Sequence, residues 1–301
     1  MGQKDLSQKD LEFYPDVFAD TMNALMYDGK TVVHSENLQP APTETLYAGA
    51  EKDLRNQFHD VSKYEMQGER IKLQYTLENE TVCDRKMVLR KAGYEGAVYR
   101  EQYDKKMKET YPIIGAVLYW GCVKWNASKS IHTFFRKRNI PKEVLHYVNN
   151  VALQTYEMRF LPQEVRQRFQ SDMRIVVDYL AEGKDYVPTN QKLKHPEALL
   201  RMLKNLTGDA RYLTILKEIQ KDEQKGEVTM CELLDKYWND GVATGIQKGI
   251  QKGIQKGIQK GIQQGTFSTL VSLVKQGLLQ VVDAAKQLDI TEEEFKRRMN
   301  D

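Results

Sequence analysis

FHDVSKYEMQGERIKLQYTLENE, residues 58–80, reads as two strands and the turn that joins them. Phe58 to Met66 and Ile71 to Glu80 flank Gln67-Gly68-Glu69, a tight hairpin signal. Along the second strand Ile71, Leu73, Tyr75 and Leu77 fall on one face, and Lys72, Gln74, Thr76, Glu78 and Glu80 on the other, because successive side chains of a strand alternate. One face is built for a core; the other carries carboxylates.

Before the hairpin, Phe13 to Leu25 sets Phe18, Thr21, Met22 and Leu25 at helical spacing, and the YDGK that follows ends this helix near Gly29. Residues 31–56 run from a β-prone TVVH into loop-like sequence and define no clear element. After the hairpin, residues 84–108 carry a stripe through Leu89, Ala92, Gly96, Tyr99 and Tyr103, which predicts a long helix. YPIIGAVLYW, residues 111–120, is an apolar run of strand length that suits a strand covered on both faces. The order helix, strand, strand, helix, strand predicts an α/β domain, a mixed sheet flanked by helices. Residues 131–236 show mostly amphipathic helical pattern broken by Pro141, Pro162, Pro188 and Pro196, and predict helical packing and not another sheet.

From Gly245 to Gln264 the chain repeats GIQK four times and then GIQQ. Four residues advance an α-helix by about 400°, so Ile246, Ile250, Ile254, Ile258 and Ile262 drift about 40° per repeat and form no straight seam. Each interior glycine costs a helix roughly 1 kcal/mol relative to alanine. A partly helical, solvated spacer is expected, with a self-association element or a DNA-tracking arm through Lys248, Lys252, Lys256 and Lys260 as alternatives. Residues 266–301 predict two short amphipathic helices, the second opened by a Thr291/Glu294 capping box.

The 301 residues suffice for one large domain or two modest ones. With 41% apolar and 29% charged residues and no apolar run near about 18 residues, a membrane span is not expected. MGQKDLSQKD has no signal-peptide core, and Leu6 stands where a myristoylation signal has Ser or Thr, so a cytoplasmic protein is expected. Cys83, Cys122 and Cys231 form no CxxC pair; they fit a reducing compartment, give no zinc framework and read as core fillers. The net charge of +3, from 45 basic and 42 acidic residues, is too small to hold nucleic acid by bulk charge, so a DNA-directed function has to rest on a site.

That site lies on the polar strand face. Glu78 and Glu80 project the same way, roughly 6–7 Å apart along the strand. Asp60, in the neighbouring strand, is placed to complete the cluster. Such oxygen ligands suit Mg²⁺, which lowers the pKa of a bound water and stabilises a departing oxygen in phosphodiester hydrolysis. The competing reading is a solvated outer face of an amphipathic strand. Alternation turns His59 to the opposite face, and His34, His132, His146 and His195 show no ligand spacing, so the histidines receive no catalytic role. Tyr119, Trp120 and Trp125 read as packing around the third strand.

Four blocks, FADTMNALMYDGK (18–30), HDVSKYEM (59–66), LENETVCDRKMVLRKAGYEGAVYREQY (77–103) and YPIIGAVLYWGCVKWN (111–126), occur in this order. Together they resemble the Rpn family of recombination-promoting nucleases and transposase-like proteins, within the PD-(D/E)XK nuclease superfamily. The resemblance covers about the first 180 residues, and a Gly-rich repeat with a helical tail is also typical of that family. It implies a restriction-endonuclease-like core that cleaves DNA with Mg²⁺ or Mn²⁺, followed by an all-helical C-terminal region. Carried onto this sequence, it implies that Asp60 and Glu78 are catalytic metal ligands. Asp20 matches a recurrent acidic position, either a water-mediated ligand or an exposed helix carboxylate. Arg90 and Gln102 match blocks that line the phosphate path or hold the helix to the sheet.

One position departs from the family. Two residues after the metal glutamate, Lys or Gln is usual, and here it is Glu80. Glutamate removes a donor and adds repulsion on the order of 4 kcal/mol between unit charges at about 4 Å and an effective dielectric near 20. Two outcomes stay open: crippled activity, or Glu80 as a further metal ligand or general base, with Lys72 or Arg85 restoring the charge balance. The expected organisation is a nuclease-like domain over 1–180, a helical extension over 181–244, the repeat over 245–265 and a helical tail over 266–301. The expected function is a divalent-metal-dependent DNA endonuclease without membrane contact. The rivals are a degenerate nuclease fold that binds DNA or protein, and an assembly protein that forms homo-oligomers through its C-terminal helices.

Overall fold

The computed structural model describes residues 10–48, 54–219 and 229–300. Its contacts divide the chain into two units, Met1–Leu233 and Leu234–Asp301. Helix α1 (Pro15–Met26) leads to β1 (Leu38–Pro40), a hairpin of β2 (Glu44–Ala48) and β3 (Leu54–Phe58), then β4 (Val61–Gln67), β5 (Arg70–Glu80), α2 (Met87–Asp104) and β6 (Ile113–Tyr119). Two one-turn helices, α3 (Ile131–Phe134) and α4 (Lys142–Leu145), precede β7 (Gln154–Glu157). Then come α5 (Gln163–Arg166), α6 (Met173–Glu182), α7 (Pro196–Thr207) and α8 (Arg211–Ile219).

The main sheet runs in the order β1-β4-β5-β6-β7. β1 and β5 lie antiparallel to β4, whereas β5, β6 and β7 are mutually parallel. The β4–β5 turn forms as expected, with Gly68 at φ +63. The expectation of helical packing after residue 131 is corrected at one point: β7 joins the same sheet and pairs Thr155 with Val117 and Glu157 with Tyr119. Four residues are too few for a period-two pattern to stand out, and pairing with the exposed edge of β6 decides their conformation.

Both faces of β5 are covered. Phe18 of α1 meets Tyr75 edge-on at 6.2 Å on the apolar face. On the other face Gln74, Thr76 and Glu78 are also buried, so the reading of this face as a solvated outer surface does not hold. Helix α2 lies over it: Lys91 donates from Nζ to the Gly115 carbonyl at 2.9 Å and pairs with Glu95. Gly115 makes that approach feasible, since a Cβ there would lie 2.6 Å from Lys91 Nζ and 2.8 Å from Thr76 Oγ1. Gly115→Ala is therefore expected to displace a buried ammonium from its acceptor and cost about 1–3 kcal/mol in urea unfolding. An unchanged midpoint would mean that Lys91 relocates freely.

Residues 196–219, within the stretch read as a helical extension, pack in the first unit, with Leu199, Leu200, Met202 and Leu203 fully buried. Helix α9 (Met230–Lys275) is continuous through the GIQK repeats, correcting the expectation of a partly helical segment. Gln and Lys are good helix formers and, with Ile, outnumber the glycine in each repeat. Ile250, Ile254, Ile258 and Ile262 are exposed, as the drifting stripe requires. In the second unit α10 (Val281–Gln287) and α11 (Glu292–Asn300) close a small core around Leu270, Ala284, Ala285 and Phe295. Thr291 Oγ1 accepts the Glu294 N–H, half of the expected capping box. Cys122 is exposed and so is no core filler, whereas Cys83 is half-buried against the core around Val117 and Tyr119, and Cys231 is half-buried. No described helix is long and apolar enough to cross a membrane.

Candidate functional site

Glu78 and Glu80 sit at the C-terminal end of β5, beside Val117 and Tyr119 of the parallel strand β6. Asn79, between them, faces the opposite way. It donates to Glu12 Oε2 at 2.6 Å and accepts from Trp120 Nε1 at 2.7 Å, which fixes the strand end. Its backbone N–H donates to Asp60 Oδ2, also at 2.6 Å. Asp60 is thereby tied to the strand segment that carries both glutamates.

Glu78 is only 6% exposed. Its Oε1 lies 2.7 Å from His59 Nδ1, and its Oε2 is 3.9 Å from Arg90 Nη2. Arg90, from the first turns of α2, donates from Nη1 to Glu80 at 2.7 Å and to Asp84 at 3.0 Å. Its Nε and Nη2 donate to the Tyr94 hydroxyl at 3.2 and 3.1 Å. The Tyr94 ring in turn meets His59 edge-on at 5.2 Å. One guanidinium thus gathers Glu78, Glu80, Asp84 and Tyr94.

Burial pushes the Glu78 carboxyl above its ordinary value; the His59 hydrogen bond opposes this, and the Asp60 charge adds to it. Burial likewise raises Glu80, against the pull of Arg90 and with Asp84 and Asp60 adding to it. Asp60 is thus close enough to repel both glutamates. Burial works against the charge of Arg90, but the bonds with Tyr94 and Asp84 and the Glu80 carboxylate outweigh it and hold the guanidinium above its usual value.

The structure brings Asp60, Glu78, Glu80 and Arg90 together and leaves two other expected residues elsewhere. Asp20 is not in the cluster: its carboxylate accepts from the backbone N–H groups of Gln170 and Ser171 and from the Ser171 hydroxyl, so it caps a distant loop. Gln102 is buried and bonds both the N–H and the carbonyl of Tyr111, at 2.9 and 3.2 Å. It clamps α2 to the start of β6. The compensating cation is Arg90 and not Lys72, which pairs with Glu65 at 2.6 Å, nor Arg85, which makes no ion pair among the described residues.

His59 also departs from expectation, since it bonds Glu78 directly. The strand read from Phe58 is interrupted: β3 ends there, His59 donates its N–H to Thr43, and β4 starts only at Val61. Alternation does not apply across a break, and the ring turns to the carboxylate side. The break leaves no periodic signal in the sequence. His59→Phe keeps an aromatic ring against Tyr94 and removes the donor; its expected cost is about 1.5–3 kcal/mol, the range for a hydrogen bond to a charged group, read in thermal melts. The cost should shrink when Glu78 is already Gln.

Among the described residues, no three His, Cys, Asp or Glu side chains are grouped to hold a metal ion. Of the expected residues Asp20 lies apart, whereas Asp60, Glu78 and Glu80 lie near one another without forming such a group. Glu80 is engaged by Arg90, and Asp20 by its loop. Asp60 and Glu78, bonded to the Asn79 N–H and to His59 respectively, feel each other's charge, and hard carboxylates such as these are what Mg²⁺ ordinarily takes from a protein, with waters and phosphate oxygens supplying the rest. The donor chemistry fits a divalent ion at this pair.

The carboxylate cluster thus lies at the C-terminal end of β5 and just before β4, on a sheet between α1 and α2. The family model described as "Putative transposase, YhgA-like" matches residues 31–211, more than half of the chain. The chain belongs to the YhgA-like transposase family. The match spans β1 to the first residue of α8, and so contains the whole sheet and the carboxylate cluster. It places the chain in the Rpn branch of the PD-(D/E)XK nuclease-like superfamily. No curated protein and no solved structure matches significantly.

Proposed function

We propose that this YhgA-like protein is a divalent-metal-dependent endonuclease that hydrolyses phosphodiester bonds of DNA. The observation that carries the reading is the Asp60–Glu78 pair: two carboxylates coupled at one sheet end, one of them buried and anchored by His59, in a family of nuclease-like fold. Asp60 and Glu78 would hold Mg²⁺ or Mn²⁺, and a bound ion supplies an acidified water and a counter-charge for the leaving oxygen. The protein groups do the rest. His59 fixes one Glu78 oxygen by occupying it, and the other lies 3.9 Å from Arg90. Arg90 supplies positive charge where the superfamily usually carries Lys, and once displaced from Glu80 it can pair with a phosphate oxygen through its planar fork.

The Glu80–Arg90 ion pair at 2.7 Å also favours a second reading, a nuclease fold locked in a non-cleaving state that binds DNA. Incubation with supercoiled plasmid and Mg²⁺ or Mn²⁺ separates the two. Nicking by the wild type that is lost in both Asp60→Ala and Glu78→Ala supports the enzyme. Nicking that survives in both variants rejects the site. Nicking gained only in Glu80→Gln, which frees Arg90, supports the locked form.

A further inference from the structure

Between Lys124 and Lys142 the sequence KWNASKSIHTFFRKRNIPK carries six Lys and Arg and no Asp or Glu, in a chain whose total excess is only +3. The remainder of the protein is net acidic, so this segment holds more positive charge than the chain's whole excess. Lys129 pairs with Glu157 at 3.7 Å, and Lys124 lies 5.9 Å over the Phe160 ring. Arg136, Lys137, Arg138 and Lys142 are exposed and make no ion pair among the described residues. Arg136–Arg138 form one 3-10 turn, stopped by Asn139 at φ +50, so the three cations are displayed on a fixed turn.

The segment is also anchored beside the carboxylate cluster. Trp125, Ile131 and Leu153 pack in one core with Met87, Val117 and Tyr119. Val117 and Tyr119 are the register partners of Glu78 and Glu80, and Met87 lies one helical turn before Arg90. A basic surface therefore rests on the strand and helix that carry the acidic site. An extended polyanion held on the one would run close to the other.

We infer that Arg136, Lys137, Arg138 and Lys142 form the surface that grips the phosphate backbone of double-stranded DNA and delivers it to the Asp60–Glu78 site. The inference rests on the nuclease reading for its choice of polyanion; a basic surface seated elsewhere would suit an acidic membrane equally. Binding of this kind is sequence-independent and steeply salt-dependent, since each neutralised phosphate contributes about 0.9 to the slope of log K against log salt.

The test uses the full chain carrying Glu78→Gln, in EDTA, so that binding is read without cleavage. Fluorescence anisotropy follows a labelled 30-bp duplex across a NaCl series. Arg136→Ser, Lys137→Ser and Arg138→Ser combined should flatten the slope by about 2–3 and weaken binding at least tenfold near physiological salt. Arg136→Lys with Arg138→Lys should keep the slope. Lys105→Ser, Lys106→Ser and Lys108→Ser combined, at the opposite end of the sheet, should leave it unchanged. A wild-type slope in the first triple variant would overturn the inference. So would binding to phosphatidylserine vesicles with none to the duplex, or an equal loss in the Lys105–Lys108 variant. Circular dichroism confirms that the variants are folded. Failure of the nuclease reading is scored separately: a duplex that binds through this surface while plasmid stays intact removes the enzyme and leaves the surface standing.

Discussion

Glu78→Gln is expected to abolish plasmid nicking, by at least about 100-fold, while making the metal-free protein more stable. The side chain is buried, and both desolvation and the Asp60 charge disfavour its carboxylate. Gln has nearly the same shape, can accept the same hydrogen bond from His59 and carries no charge to desolvate or repel. The loss of rate follows because a neutral amide neither binds a hard divalent ion well nor offsets its charge. A relief on the order of 1 kcal/mol corresponds to a rise of about 2–4 °C in melting temperature for a unit of this size.

The sign of its pH dependence is fixed. A carboxyl whose folded-state pKa is raised holds its proton more tightly in the folded state, so lowering the pH through that window stabilises the wild type. The advantage of Gln is therefore full only above the raised folded value. It shrinks as pH falls through the raised folded value and is gone below about 4.5, the ordinary Glu value, where Glu78 is protonated folded and unfolded alike. Melting curves in EDTA between pH 4 and pH 8 check this. A variant that is less stable than wild type at pH 7 would show that the ionised Glu78–His59 pair is a net stabilising contact.

Arg90→Met should damage both stability and activity. Removing the guanidinium leaves Glu78, Glu80 and Asp84 facing one another without a counter-charge, and leaves the Tyr94 hydroxyl without its donor. Breaking a fully buried ion pair by deleting one partner costs about 3–5 kcal/mol. The Arg90 side chain is 39% exposed, and solvent screening brings the expectation down to about 1–3 kcal/mol. Adding Glu80→Gln should recover part of that loss, because one of the unpaired charges is then gone; strictly additive effects would deny the coupling. Arg90→Lys should keep part of the stability but little of the nicking, since a point charge cannot bridge Glu80, Asp84 and Tyr94 as a planar fork does.

The role of Arg90 shows how unevenly the site is written in the sequence. The ExE spacing of Glu78 and Glu80 follows from strand alternation, and their placement on one face needs only a correct assignment of β5. That Glu80 finds its cation in α2, and not in Lys72 on the same strand, depends on how α2 packs over the sheet. Gln102 is the complementary case. A motif that matches a substrate-lining block is in this chain a buried clamp between α2 and β6, and only its two contacts to Tyr111 reveal it.

Local, periodic information decided α1, the β4–β5 hairpin, α2, β6 and the paired carboxylates, because side-chain alternation and helical spacing are properties of neighbouring residues. The sequence by itself also determined the drift of the repeat isoleucines and the charge of the 124–142 segment. Tertiary structure alone decided the rest. It broke the chain at His59 and turned that ring onto Glu78, recruited Gln154–Glu157 as an edge strand, and covered the polar face of β5 with Lys91 above Gly115. Each of these depends on contacts between residues far apart in the chain, where the stabilising partner, and not the local pattern, selects the conformation.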